Sequence, residues 1–126
     1  MKITNFQPQI LTKDPDAAIA LFEALGFVRN HKSVVTTSNG NEVTNICMKN
    51  ADGFRVDVAG VTDVPQDMTL IRVNVDDFQE AYDFLISKGF RNSAGDATVD
   101  TRTNKSAMMI SPSGFAFDLC QHIKSE

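Results

Sequence analysis

Gly53-Phe54-Arg55-Val56-Asp57-Val58 returns 61 residues later as Gly114-Phe115-Ala116-Phe117-Asp118-Leu119. Both copies leave a glycine turn and alternate along the chain, the two-residue period of a strand. Gly-Phe is a common exit from a turn into a strand, so this pair alone would carry less. A second pair keeps the order: Asp14, Ala18, Phe22, Gly26 and Phe27 match Asp77, Ala81, Leu85, Gly89 and Phe90 at an offset of 63. Matching order and spacing indicate an internal duplication. The modules run over about residues 1–60 and 68–126, in a single domain. Gly60-Val61-Thr62-Asp63-Val64-Pro65-Gln66-Asp67 joins them, with Gly, Pro and two Asp and no periodicity.

Each module reads as strand, helix, then three strands. Residues 6–12 form a strand. Asp14 is a natural N-cap, and Pro15 stands at the first helical position, where its missing N–H costs nothing. Ala18, Leu21, Phe22 and Leu25 make one apolar stripe, and Gly26 ends the helix. Strands follow around 27–37, 43–49 and 53–60, broken by Asn39-Gly40 and Asp52-Gly53 turns. The second module repeats this. A strand spans 69–75, and Asp76 or Asp77 caps a helix, with Gln79 or Glu80 as capping-box partner. Ala81, Phe84 and Leu85 form its stripe, and Gly89 stops it. Phe90 to Ala97 reads as a loop, and strands near 97–102, 105–111 and 115–122 complete an α+β chain.

The chain has 126 residues and a formal charge of −4, with 42% hydrophobic and 22% charged residues. No apolar run approaches the roughly 20 residues needed to cross a bilayer, and the first residues lack the apolar segment of a signal peptide. Without a Lys/Arg cluster, a phosphate-backbone partner is not expected. Cys47 and Cys120 are far apart and read as free thiols of a cytoplasmic protein, an oxidised pair being the alternative.

Asp14-Pro15-Asp16 with the closing Leu25-Gly26-Phe27, and Ser111-Pro112-Ser113-Gly114-Phe115-Ala116-Phe117-Asp118-Leu119, resemble motifs of the vicinal oxygen chelate superfamily. That superfamily comprises the glyoxalase I, bleomycin-resistance and extradiol-dioxygenase proteins. The resemblance covers the chain from Ile3 to about His122. It implies tandem βαβββ modules in a curled mixed sheet, an open cup with helices on the convex side and ligand or metal in the concave side. It also implies a homodimer.

Strand alternation separates the faces. Phe54, Val56 and Val58 share one, opposite Arg55, Asp57 and Ala59; Phe115, Phe117 and Leu119 oppose Ala116, Asp118, Cys120 and His122. Ile71, Val73 and Val75 oppose Leu70, Arg72 and Asn74; Pro8, Ile10 and Thr12 oppose Gln7, Gln9 and Leu11. The polar faces are either wetted by solvent or, in a cup, line a small-molecule site. On the second reading Gln7, Gln9, Arg55, Arg72, Asn74, Cys120 and His122 contact ligand, and Asp57 and Asp118 are the catalytic candidates.

Metal enzymes of the superfamily place one ligand on each of four strands. By resemblance those positions are Gln7, Asp57, Leu70 and Asp118. Leu has no donor atom, Asp is one methylene shorter than the usual Glu, and Gln is a weak neutral donor. The resemblance therefore implies an incomplete set. Arg72 or Arg55 stands as an alternative cation for the two aspartates, against a bland reading as exposed ion pairs. Two functions follow. One is a metal-free small-molecule binder of the bleomycin-resistance kind, or a relative with altered substrate. The other is a lactoylglutathione lyase-like lyase or isomerase, or a dioxygenase, holding divalent Ni, Zn, Mn or Fe on Gln7, Asp57 and Asp118.

Overall fold

The computed structural model describes residues 1–36, 42–62, 64–100 and 104–122. The Asn39-Gly40 turn and the end of the strand expected at 97–102 lie outside them. The chain divides into two compact units, Gln7–Thr69 and Met1–Phe6 with Leu70–Glu126.

The first unit holds most of β1 (Ile3–Thr12), then α1 (Pro15–Ala24), β2 (Val28–Thr36), β3 (Glu42–Lys49) and β4 (Arg55–Gly60). Asp14 caps α1 by accepting from the Ala17 N–H at 3.1 Å, and Pro15 opens it. Gly26, at φ +99°, closes it. There the Gly26 N–H reaches the Glu23 carbonyl and the Phe27 N–H the Phe22 carbonyl, a Schellman turn. Its apolar contact is the Phe22–Phe27 ring pair, edge-on at 5.6 Å. That contact decides which way the helix faces. Ile19 is buried, with Ala18 and Phe22 packed beside it, while Leu21 and Leu25 are exposed. The stripe expected through Ala18, Leu21, Phe22 and Leu25 is thus rotated toward Ile19. Ile46, Met48, Val56 and Val58 complete this core. β2 runs antiparallel to β3 and β3 to β4, while β1 runs parallel to β4 with Gln9 opposite Asp57.

The second unit holds β5 (Met68–Val75), α2 (Phe78–Ser87), β6 (Arg91–Asn92), β7 (Val99–Asp100), β8 (Asn104–Ile110) and β9 (Ala116–His122). Of the two candidate caps, Asp77 takes the role, accepting from the Glu80 N–H at 3.0 Å. Asp76 accepts from the Lys2 N–H instead. The capping box expected from Gln79 or Glu80 is absent among the described contacts. Glu80 meets the Met1 ammonium, and Gln79 donates to Asp83. Gln121 of β9 takes up the helix start, accepting from the Phe78 N–H at 2.8 Å. The Gly89 cap repeats the Gly26 cap bond for bond.

The stripe of α2 also differs from expectation. Phe78 and Ala81 are buried, with Tyr82 and Leu85 packed against the core of Val73, Val75, Ala107, Met109 and Leu119. Phe84 is exposed, with the Lys88 ammonium over its ring. The supposed loop after Phe90 contains β6, which pairs with β8, and a turn folded around buried Asn92. The Asn92 side chain donates to the Ala97 carbonyl at 2.8 Å and accepts from the Ala94 N–H at 3.0 Å.

The duplication reaches the hydrogen-bond register. In β5 and β9, again parallel, Arg72 stands opposite Asp118, as Gln9 stands opposite Asp57 in the first unit. The two hairpin turns match as well: the Asn50 N–H reaches the Phe54 carbonyl, and the Ser111 N–H the Phe115 carbonyl.

Candidate functional site

Each unit carries a polar row on the sheet face opposite its helix. In the first unit the row is buried. Asp57 is completely buried, and Gln7 and Gln9 nearly so. Residues paired across strands share a face, which brings Cys47 beside Asp57 and Asn45 beside Ala59. Gln7 Nε2 donates to Asp57 Oδ1 at 2.6 Å and lies 3.7 Å from Cys47 Sγ. Gln9 Nε2 donates to Asn45 Oδ1 at 3.1 Å. Burial pushes the Cys47 thiol above its ordinary value; the Gln7 contact opposes this and the Asp57 charge adds to it.

In the second unit the row is more open. Arg72, Asn74 and Asp118 are half-buried, while Leu70 and Cys120 are buried. Arg72 Nε donates to Asn74 Oδ1 at 3.2 Å, and Cys120 Sγ lies 3.3 Å from Asp118 Oδ1. Ser106 is buried opposite Cys120.

Of the residues expected here, Gln7, Gln9 and Asp57 come together in one unit, and Arg72, Asn74, Asp118 and Cys120 in the other. Arg55 and His122 stand apart as exposed residues at strand ends. Arg55 is the first residue of β4 and His122 the last of β9. Phe54 and Phe115 are also exposed, because each precedes its strand and sits in the turn. Neither cysteine forms a disulfide. Asn45 was missed. Its strand reads Val43-Thr44-Asn45-Ile46-Cys47-Met48 without alternation, so no period marks a polar residue turned inward.

The fold's metal ligands can be tested against these contacts. At the position expected of the third ligand, Leu70 offers only methyl groups. Gln7 turns its amide nitrogen, a donor, toward Asp57. Among the described residues no three His, Cys, Asp or Glu side chains gather as a metal site. This donor set does not fit the metal centre that the resemblance implies.

Two units of one βαβββ plan, the second with two short pieces, β6 and β7, where the first has β2, each with a parallel pair beside an antiparallel ladder, define an α+β protein of duplicated architecture. Solved structures share it. Methylmalonyl-CoA epimerase from Mycobacterium tuberculosis matches with a TM-score of 0.70 at 13% identity, covering 97% of this chain and 90% of that chain. Glyoxalase I from Zea mays matches with a TM-score of 0.66 at 14% identity, covering 98% of this chain but 44% of that one. A glyoxalase/bleomycin resistance protein/dioxygenase superfamily member from Vibrio splendidus 12B01 matches with a TM-score of 0.56 at 18% identity, covering 97% and 100%. The sequence matches no family model and no curated protein. The chain has the vicinal oxygen chelate fold, and it spans less than half of the maize glyoxalase I chain. No helix among the described residues is long and apolar enough to cross a membrane.

Proposed function

We propose that this chain binds a small molecule on the polar face of its sheet, without the full metal-ligand set of the metal enzymes of its fold. The observation that carries the reading is the Gln7–Asp57 hydrogen bond of 2.6 Å. It engages two would-be ligands with each other. Leu70 supports it by withdrawing a third. Elemental analysis of protein prepared with Ni, Zn, Mn and Fe supplied is expected to find substoichiometric metal, with no shift of the thermal midpoint. A one-to-one metal content that disappears in Asp57→Asn would overturn the reading.

A second reading is a divalent-metal-dependent lyase, isomerase or dioxygenase that uses Gln7, Asp57 and Asp118. It is favoured by the matched register of the two aspartates, each opposite a polar residue of the parallel strand. The same experiment decides between the two. A homodimer is part of the proposal, and light scattering after size exclusion would show it as twice the chain mass.

A further inference from the structure

We infer that Gln9 and Asn45 recognise a neutral carboxamide-type group, a primary or cyclic amide, on the sheet face of the first unit opposite its helix. This rests on the small-molecule reading above and names its ligand chemistry. Both residues are at least nine-tenths buried, at 5% and 6% exposure. The hydrogen bond between them uses one donor and one acceptor. An amide side chain carries both kinds of group, so the pair retains Gln9 Oε1 as acceptor and the Asn45 amide nitrogen as donor. Neither has a hydrogen-bond partner among the described residues. Turning both amides over exchanges the roles but leaves the same pattern, one unbonded amide nitrogen beside one unbonded amide oxygen.

A ligand amide satisfies both groups at once. A carboxylate offers only acceptors and an ammonium only donors, so each leaves one buried group unmatched, which is what makes such a site selective. Asp57 pairs with Gln9 across the strands and places its carboxyl on the same face, a further obstacle to an anion. The fold does not itself require these amides. Their repeat equivalents in the second unit are Arg72 and Ser106.

The test follows the side-chain NH₂ signals of the full ¹⁵N-labelled chain during titration with benzamide, benzoate and benzylammonium. Benzamide is expected to shift the Gln9 and Asn45 signals and to bind roughly tenfold more tightly than the other two. Asn45→Asp exchanges the donor for an acceptor. It is expected to weaken benzamide roughly tenfold and to gain binding of benzamidinium, whose two donors match two acceptors. If that variant does not fold, Gln9→Glu makes the corresponding change on the other partner. Equal binding of benzoate, no response to millimolar benzamide, or a folded variant with unchanged preference would overturn the inference. Metal-loaded protein that still prefers benzamide would refute the proposed function but leave the pair standing. Metal-free protein indifferent to benzamide would refute the pair alone.

Discussion

Cys47 stands where the physics of the first unit's polar row is concentrated. Its thiol is buried beside Gln7 and Asp57, and burial holds it protonated above the ordinary thiol range. A folded-state value above the unfolded one means that the fold favours the neutral thiol. The stability this confers is fully present below the unfolded value of about 8.5. It is lost as pH rises through the raised folded value. Urea unfolding at pH 7 and pH 10 is therefore expected to show a larger loss for the parent chain than for Cys47→Ala. Equal losses would remove Cys47 from the account. Gln7 and Asp57 were legible in the sequence because a resemblance fixed their strand positions. Asn45 was not, since a strand buried on both faces has no alternation to read. Arg55 shares the parity of Asp57, but parity does not tell that the first residue of a strand is left in solvent.

The two helices show what local chemistry settles and what packing must settle. Asp14, Pro15, Gly26 and Gly89 announce their roles because caps are decided within a few residues. The buried stripe is not so decided. A ten-residue helix with many apolar positions offers more than one face of helical period. In α1 the Phe22–Phe27 contact selects Ile19 over Leu21 and Leu25. In α2 Phe78, which precedes the expected stripe, supplies the buried ring. The glycine caps give a paired prediction. Gly26 and Gly89 both hold positive φ, +99° and +91°. A Cβ at Gly26 meets nothing within 4 Å, while one at Gly89 comes to 3.0 Å from Pro112 Cγ. Gly26→Ala is expected to cost about 1 kcal/mol from backbone strain alone. Gly89→Ala is expected to cost more, about 2 kcal/mol, because crowding adds to the strain. Urea midpoints measure both, and a smaller loss at Gly89 would contradict this order.

Duplication has kept the frame of this molecule and changed what the frame presents. Strand register, turn bonds and helix caps repeat between the units. Backbone pairing tolerates many side chains, so these features survive divergence. The sheet faces opposite the helices did not stay alike. Gln7, Gln9 and Asn45 in one unit correspond to Leu70, Arg72 and Ser106 in the other. Each unit has its own apolar cluster, Val75 standing in one and Val58 in the other among the described residues. Val58→Ala and Val75→Ala each remove two buried methyl groups and are expected to cost about 2 kcal/mol. Urea unfolding of each variant measures this directly. A loss below about 1 kcal/mol at either position would show that neighbouring side chains close over the missing methyl groups.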